Sequence, residues 1–570
     1  MTGTATATRE AEALLAAVRA LRGTVAASAF PVPTASAAAA TRTRDELVHQ
    51  LDDYVLPRLT SLDAPLLAVV GGSTGAGKST LVNSVVGERV TTPGVLRPTT
   101  RSPVLVHAPD DRAWFADDRV LPALHRVSGA DAVEGTDSLR LVAAPTLPAG
   151  LALVDAPDID SVVAANRALS RQLLAAADLW LFVTTAARYA DAVPWDLLHQ
   201  ARERGTAVAV VLDRVPAEAV DEIRDHLGAM LAEQGLQRTP VFTVVEGLGD
   251  DGALPEEQVG PLRSWLVALA HDQHARHEVV RQTLQGALAS LDARVTSLAA
   301  AAREQDAAAA ELHDVTATAF AAAARSVSDG MGDGRLLRGE VLARWQEFVG
   351  TGEFFKQVES TVSRVRDRLV GALKGRADRA DGLGDALQGG VATLVRAEAQ
   401  GAVSSTTARW RALPGGTDVL EADPALSRPS DDLARRVESL VHDWQGDVLD
   451  LVRTEGQDRR TRARVAAYGV NALGTVLILV TLATTGGLTT AEVGIAGGTA
   501  VLGQRLLEAI FGDQAVRTLA ERARRALVAR VETLYAQEQS RYDAAVAALA
   551  VPAGQDAALT AAVDAVREVR

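Results

Sequence analysis

Apolar positions change their period along this chain, and the changes divide it. Between residues 62 and about 270, short apolar runs alternate with amphipathic stretches. The runs are Leu66–Val70, Val104–His107, Leu139–Ala143, Leu151–Asp155, Leu179–Thr184, Ala207–Leu212 and Val241–Val245. Several are near-continuous, as strands buried on both faces are, so the region reads as a doubly wound α/β sheet. Residues 1–60 read as helical. Arg9–Leu21 forms one predicted helix, ended by Gly23. A second carries Leu47, Leu51, Tyr54 and Val55 on one face and is closed by Pro57. That apolar face needs a partner, either the sheet domain or helices far down the chain.

From about residue 275 the strand pattern stops. Leu284, Leu288, Leu291, Val295 and Leu298 follow 4-3-4-3 spacing, a short coiled-coil seam. Helical patterns continue through 336–411, with breaks at Asp329–Gly334 and Leu413–Pro429. Ser430 is placed to cap the next helix, with Asp431 and Asp432 in its first turn. Val516, Leu519, Ala523, Leu527, Val531 and Leu534 then repeat at helical spacing. This part reads as an elongated helical stalk. Residues 345–355 gather four aromatic residues, read as a packing cluster.

One segment stands apart. Residues 465–491 hold no charged side chain, enough to cross a bilayer. Gly486 and Gly487 break the run, Glu492 interrupts, and a second uncharged stretch ends before Arg505. Arg459, Arg460, Arg462 and Arg464 precede it, suited to anionic headgroups. The reading is an apolar hairpin that meets lipid through residues 465–511 from the cytosolic side. The rival reading is an Ala/Gly-rich hairpin buried in a helical bundle.

Composition narrows the options. The chain is 48% hydrophobic yet 4% aromatic, with abundant Ala, which favours helices. A formal charge of −14 argues against a general nucleic-acid binder. No cysteine is present, which removes disulfide and thiolate chemistry. The first fifteen residues include acidic side chains and lack a long apolar core, unlike a secretory signal.

The chemistry concentrates after the first apolar run. Gly72, Ser73, Thr74, Gly75, Ala76, Gly77, Lys78 and Ser79, followed by Thr80, match G-x-x-x-x-G-K-[ST] between a strand and a helix. Glycines let backbone N–H groups turn inward around phosphates, and the helix start adds its positive dipole end. Lys78 is placed to reach β and γ phosphates, and the Ser79 hydroxyl to hold Mg²⁺. Asp155 ends the Leu151–Asp155 run, where an acidic residue holds Mg²⁺ through water. Asp158 stands where the D-x-x-G switch motif has Gly, so its carboxylate must point away from a γ-phosphate or be neutralised. Thr99 and Thr100 lie in a loop before the next strand, where a hydroxyl completes the Mg²⁺ shell. Thr91 and Thr92 are weaker candidates for that role. At the place of the guanine motif N/T-K-x-D stand Asp213, Arg214, Val215 and Pro216. The base-reading carboxylate is missing from its usual position, although Asp213 neighbours it. Arg214 is left to stack on the base.

The order GGSTGAGKST, RPTT, DAPD and LDRVP, with helices before and after, resembles the bacterial dynamin-like branch of the translation-factor-type GTPases. The motifs span residues 60–250. The resemblance implies an α/β P-loop GTPase domain with a doubly wound sheet, plus a long all-α stalk with a hydrophobic hairpin. It divides the chain into N-terminal helices (1–60), the GTPase domain (61–272), stalk (273–460), hairpin (461–512) and a C-terminal stalk helix (513–570). It further implies GTP as substrate, Mg²⁺ as cofactor and pairing through the GTPase domain, as a homodimer or with a related dynamin-like partner. Lys78, Thr99 and Thr100 take the catalytic roles, and the expected location is the cytoplasmic face of the cell membrane. Three departures stand out: Asp158, the degenerate LDRVP, and Gly75, where relatives often carry a cation-binding side chain. Ile159 replaces a water-orienting Gln, so hydrolysis is expected to be slow until a partner completes the site. Two other classes stay open, a membrane-anchored nucleotide switch or scaffold with little hydrolysis, and a P-loop ATPase.

Overall fold

Leu66, Ala68 and Val70 face one side of the first strand and Leu67 and Val69 the other, and both sets are buried. That two-sided burial is why the strand is apolar at every position. The computed structural model describes residues 2–92, 102–117, 119–128, 137–161, 163–203, 205–249, 252–332, 377–455 and 513–570. Thr99, Thr100, the 345–355 aromatic cluster and the apolar segment 465–511 lie outside them. Among the described residues no helix is long and apolar enough to cross a membrane.

The sheet has eight strands: β1 (Leu66–Gly72), β2 (Val104–His107), β3 (His125–Val127), β4 (Ser138–Ala143), β5 (Leu151–Asp155), β6 (Leu179–Thr185), β7 (Ala207–Val215) and β8 (Val241–Val245). Their order is β3-β4-β2-β5-β1-β6-β7-β8, and every pairing is parallel except β2 with β5. β3 is a three-residue edge strand with no apolar run to announce it, so the periodicity misses it.

The described helices, in chain order, are α1 (Thr2–Ala27), α2 (Ala37–Gln50), α3 (Leu56–Thr60), α4 (Lys78–Val86), α5 (Arg112–Phe115), α6 (Ala164–Ala175), α7 (Ala192–Glu203), α8 (Val220–Glu233), α9 (Glu256–His271), α10 (Gln273–Gly332), α11 (Ala377–Trp410), α12 (Gly416–Ala422), α13 (Leu433–Glu455), α14 (Asp513–Ala547) and α15 (Gln555–Val569). α6, α7 and α8 cover one face of the sheet with Leu173, Leu198 and Leu231. α4 and α9 cover the other with Val82, Val85, Leu262 and Leu266. The result is a three-layer α/β/α domain.

The chain forms two compact units. One comprises Met1–Phe30, Ala35–Glu304 and Pro552–Arg570, and the other Pro31–Thr34 and Gln305–Val551. In the first unit, Val18, Leu21, Leu47, Leu51 and Val55 pack with Leu288, Leu291, Val295 and Leu298 of α10 and with Leu559 and Val563 of α15. The 4-3-4-3 seam is thus buried against the N-terminal helices.

Two predicted helix ends are not ends. α1 runs through Gly23 to Ala27, because Val25 continues the buried row of Val18 and Leu21. Pro57 does not close the second helical stretch. A π turn over Leu51–Val55 sends the Leu56 N–H to the Leu51 carbonyl, and the chain re-enters a helix with Pro57 in its first turn. There the missing N–H costs little.

The same π turn carries Asp53, which is 4% exposed and accepts a hydrogen bond from Gln172 Nε2 of α6 at 3.0 Å. Burial pushes its carboxyl up to about 6, against the Gln172 donation and the His49 and Arg126 charges, while Asp52 adds to the rise. A carboxyl raised from 3.8 contributes stability that is whole below about pH 4 and is lost as pH climbs through 6. Asp53→Asn is therefore expected to exceed the parent in stability at pH 7, by on the order of 3 kcal/mol, and to match it near pH 4. Melting curves of both proteins across this range test it, and parallel curves would refute the assignment.

In the second unit the core is organised by large aromatics whose polar tips are all satisfied. The Trp410 indole donates to the Leu312 carbonyl at 2.9 Å and Trp444 to Ala523 at 2.8 Å. The Tyr535 hydroxyl donates to Val395 at 2.7 Å and Tyr542 to Leu426 at 2.6 Å. Ser430 does not cap α13 with its side chain. Its hydroxyl donates to the fully buried Glu538, which also takes Arg436 and Arg541.

A candidate nucleotide site

The carboxyl ends of four neighbouring strands meet at one edge of the sheet. Register pairs Val70 with Asp155, Gly72 with Val183, and Thr185 with Asp213, so β5, β1, β6 and β7 finish side by side. The Gly72–Thr80 loop starts there. A Cβ on Gly72 would lie 2.1 Å from the Val183 carbonyl oxygen, so only glycine fits. The loop turns tightly, with the Ala76 N–H on the Ser73 carbonyl at 3.1 Å. Gly75 and Gly77 have φ of +75° and +88°, and α4 begins at the next residue with Lys78, Ser79 and Thr80 in its first turn.

Lys78 is buried and folded back along the loop. Its Nζ donates to the carbonyls of Gly72 at 3.0 Å and Ser73 at 3.2 Å, and pairs with Asp158 Oδ1 at 2.5 Å. Of the two outcomes open to Asp158, the structure takes neutralisation. The Ser73 hydroxyl is buried with no hydrogen-bond partner among the described residues.

Ser79 donates to Asp155 Oδ2 at 2.7 Å. Asp155 is fully buried, and its Oδ1 has no hydrogen-bond partner among the described residues. Burial raises its carboxyl above the usual range, opposed by Ser79, Lys78 and Thr91 and reinforced by Asp158. A buried carboxylate oxygen without a donor, beside a serine hydroxyl, suits a hard cation with oxygen ligands such as Mg²⁺. Thr91 joins this group. Asn83 Oδ1 accepts from the Val90 and Thr91 N–H groups, both at 2.9 Å, and the Thr91 hydroxyl donates to the Ser79 carbonyl at 3.3 Å.

Asp213 braces the loop from β7. A Cβ on Gly77 would lie 2.2 Å from Asp213 Oδ2, and Oδ1 accepts the Arg214 N–H at 2.8 Å. Burial raises the Asp213 carboxyl, the Arg214 N–H and charge oppose that, and the Glu246 charge adds to it. Arg214 projects outward from a left-handed backbone with φ +53°.

A further contact is absent from any linear motif. Asp160 Oδ1 accepts from the Thr74 N–H at 2.6 Å and the Thr74 hydroxyl at 2.7 Å, while Oδ2 pairs with Arg188 at 2.9 Å. Burial works to raise its carboxyl, but Thr74 and Arg188 hold it below the usual range. Its one sequence signal is the alternation Asp158-Ile159-Asp160 directly after Asp155-Ala156-Pro157.

Residues 67–215 match the model of the Dynamin family. No curated protein matches the chain. Among solved structures, an oligomerised bacterial dynamin pair, described as a mechanism for long-range sensing and tethering of membranes, aligns at 9% identity. The alignment covers 93% of this chain and 95% of the other, with a TM-score of 0.36. Toc33 of Arabidopsis thaliana aligns at 17% identity over 41% of this chain and 93% of its own, with a TM-score of 0.24. TM-scores this low add nothing to the family match.

Proposed function

From the premise that residues 67–215 are a dynamin-family domain, that of a nucleoside-triphosphate hydrolase, we propose a membrane-associated GTPase that couples GTP binding and slow hydrolysis to membrane remodelling or tethering. The observation that carries it is the grouping of Lys78, Ser79, Asp155 and Asp158 around the turn between β1 and α4. In this reading the backbone of Gly72–Ser79 wraps the phosphates, with the α4 dipole behind it. Lys78 leaves Asp158 and takes the β and γ oxygens. Ser79 and Asp155, with Thr91, Thr99 or Thr100, hold Mg²⁺, which when bound offsets charge on the β and γ phosphates. Asp213 keeps Gly77 close to the strand end, and Arg214 covers the base. Residues 465–511 contact lipid, and GTPase domains pair with each other or with a related partner.

Binding and turnover of GTP and ATP, with and without anionic liposomes, test this. GTP preference with liposome-stimulated turnover is the expected result. Tight GTP binding with no turnover under any condition would replace it with a nucleotide switch or scaffold. ATP preference would remove the guanine assignment.

A further inference from the structure

The guanine motif of this chain stops one residue short. Asp213, Arg214 and Val215 occupy its first three places, and Pro216 stands where the base-reading carboxylate belongs. β7 and β8 run parallel, with a register shift between Leu212 and Val215, after which Val215 lies opposite Val245. The position after Val215 therefore lies across from the position after Val245. That residue is Glu246, and its N–H donates to the Val215 carbonyl at 2.9 Å.

We propose that Glu246, carried just past the end of the neighbouring strand β8, reads the guanine edge in place of the residue missing at 216. Guanine presents two donors side by side, N1–H and the exocyclic N2–H₂, and a carboxylate accepts from both. Adenine presents a bare N1 lone pair at the same place, which a carboxylate repels. Glu246 is exposed, and its side chain makes no ion pair or hydrogen bond among the described residues.

The alternative reader, Asp213, is committed elsewhere. It is 5% exposed, with one oxygen on the Arg214 N–H and the other against Gly77. It stands near enough to Glu246 for the two charges to interact. Two further features suit a flat heterocycle. Arg214 projects from a strained backbone at the end of β7. Leu248, two residues past Glu246, is 61% exposed, the most exposed large apolar side chain among the described residues.

The inference rests on the GTP reading above, and the test separates the two. Fluorescent GTP, xanthosine triphosphate and ATP are titrated with Mg²⁺ into the full chain and its variants. A carboxamide at 246 still accepts from N1–H but donates to the O2 of xanthine, where guanine has an amine. Glu246→Gln is expected to weaken GTP about tenfold or more and to strengthen xanthosine triphosphate, so that their ratio shifts about a hundredfold. Glu246→Ala should lose GTP without gaining xanthosine triphosphate. An unchanged ratio in Glu246→Gln overturns the proposal, as does a swap produced by Asp213→Asn instead. Parent protein that binds ATP as well as GTP sinks the GTP reading itself, before Glu246 is at issue.

Discussion

Lys78→Ala is expected to weaken nucleoside-triphosphate binding and to lower turnover by about 10²–10³-fold, the range seen when one preorganised donor to a developing oxyanion is lost. In the proposed reading this substitution has two effects. It removes the cation that would face the β and γ phosphates. It also strands Asp158, 8% exposed and paired with Lys78, as an uncompensated carboxylate on the approach of a polyanion. Those effects are separable by a double-mutant cycle. Asp158→Asn alone is expected to tighten binding, because the incoming phosphate no longer has to displace a carboxylate from Lys78. In the Lys78→Ala background the same change should recover part of the lost affinity, but by a smaller amount than it adds in the parent, because no lysine is left to release, and that difference reports direct coupling. Isothermal titration with a non-hydrolysable GTP analogue measures all four corners. Additive effects would mean that the ion pair plays no part in binding.

The largest stability loss is expected from Arg58→Met. Asp178, fully buried, accepts the Leu67 N–H at 2.7 Å and pairs with Arg58, which also donates to the carbonyls of Ala64 at 3.0 Å and Pro65 at 2.8 Å. Burial raises the Asp178 carboxyl, and the Arg58 charge is the strongest force opposing that rise. Removing one member of a buried pair typically costs about 3–5 kcal/mol, because the other charge stays buried without its partner. Arg58→Met should lower the denaturant midpoint accordingly. The deficit should shrink in mild acid, where Asp178 takes a proton, and the Arg58→Met/Asp178→Leu pair should recover most of it. A loss independent of pH would point to packing alone.

What the chain discloses in one dimension follows from what is local. A strand buried on both faces is apolar throughout, so β1, β5, β6 and β7 are legible as runs, whereas the short edge strand β3 is not. The phosphate loop is legible because its function requires particular residues in unbroken order. Gly23 and Pro57 mislead because their usual meaning assumes nothing else acts on the backbone. At Gly23 a buried apolar row overrides it, and at Pro57 a π turn removes the conflict. Spacing alone ranks Thr91 below Thr99 and Thr100, because the Asn83 side chain that brings it to Ser79 acts across a loop. Asp160 and Arg188 are brought together only by the order of the strands. Glu246 is placed beside Pro216 only by a register shift, which no spacing rule in the sequence expresses.

The carboxylate of Asp160 is shared between the loop residue Thr74 and Arg188, and Arg188 also holds Asp191 at 2.9 Å. The two oxygens divide the work, Oδ1 holding Thr74 and Oδ2 holding Arg188, and Arg188 returns to the loop by donating to the Thr74 carbonyl at 3.4 Å. Loop, carboxylate and guanidinium thus close a ring, in which each member is fixed by the other two.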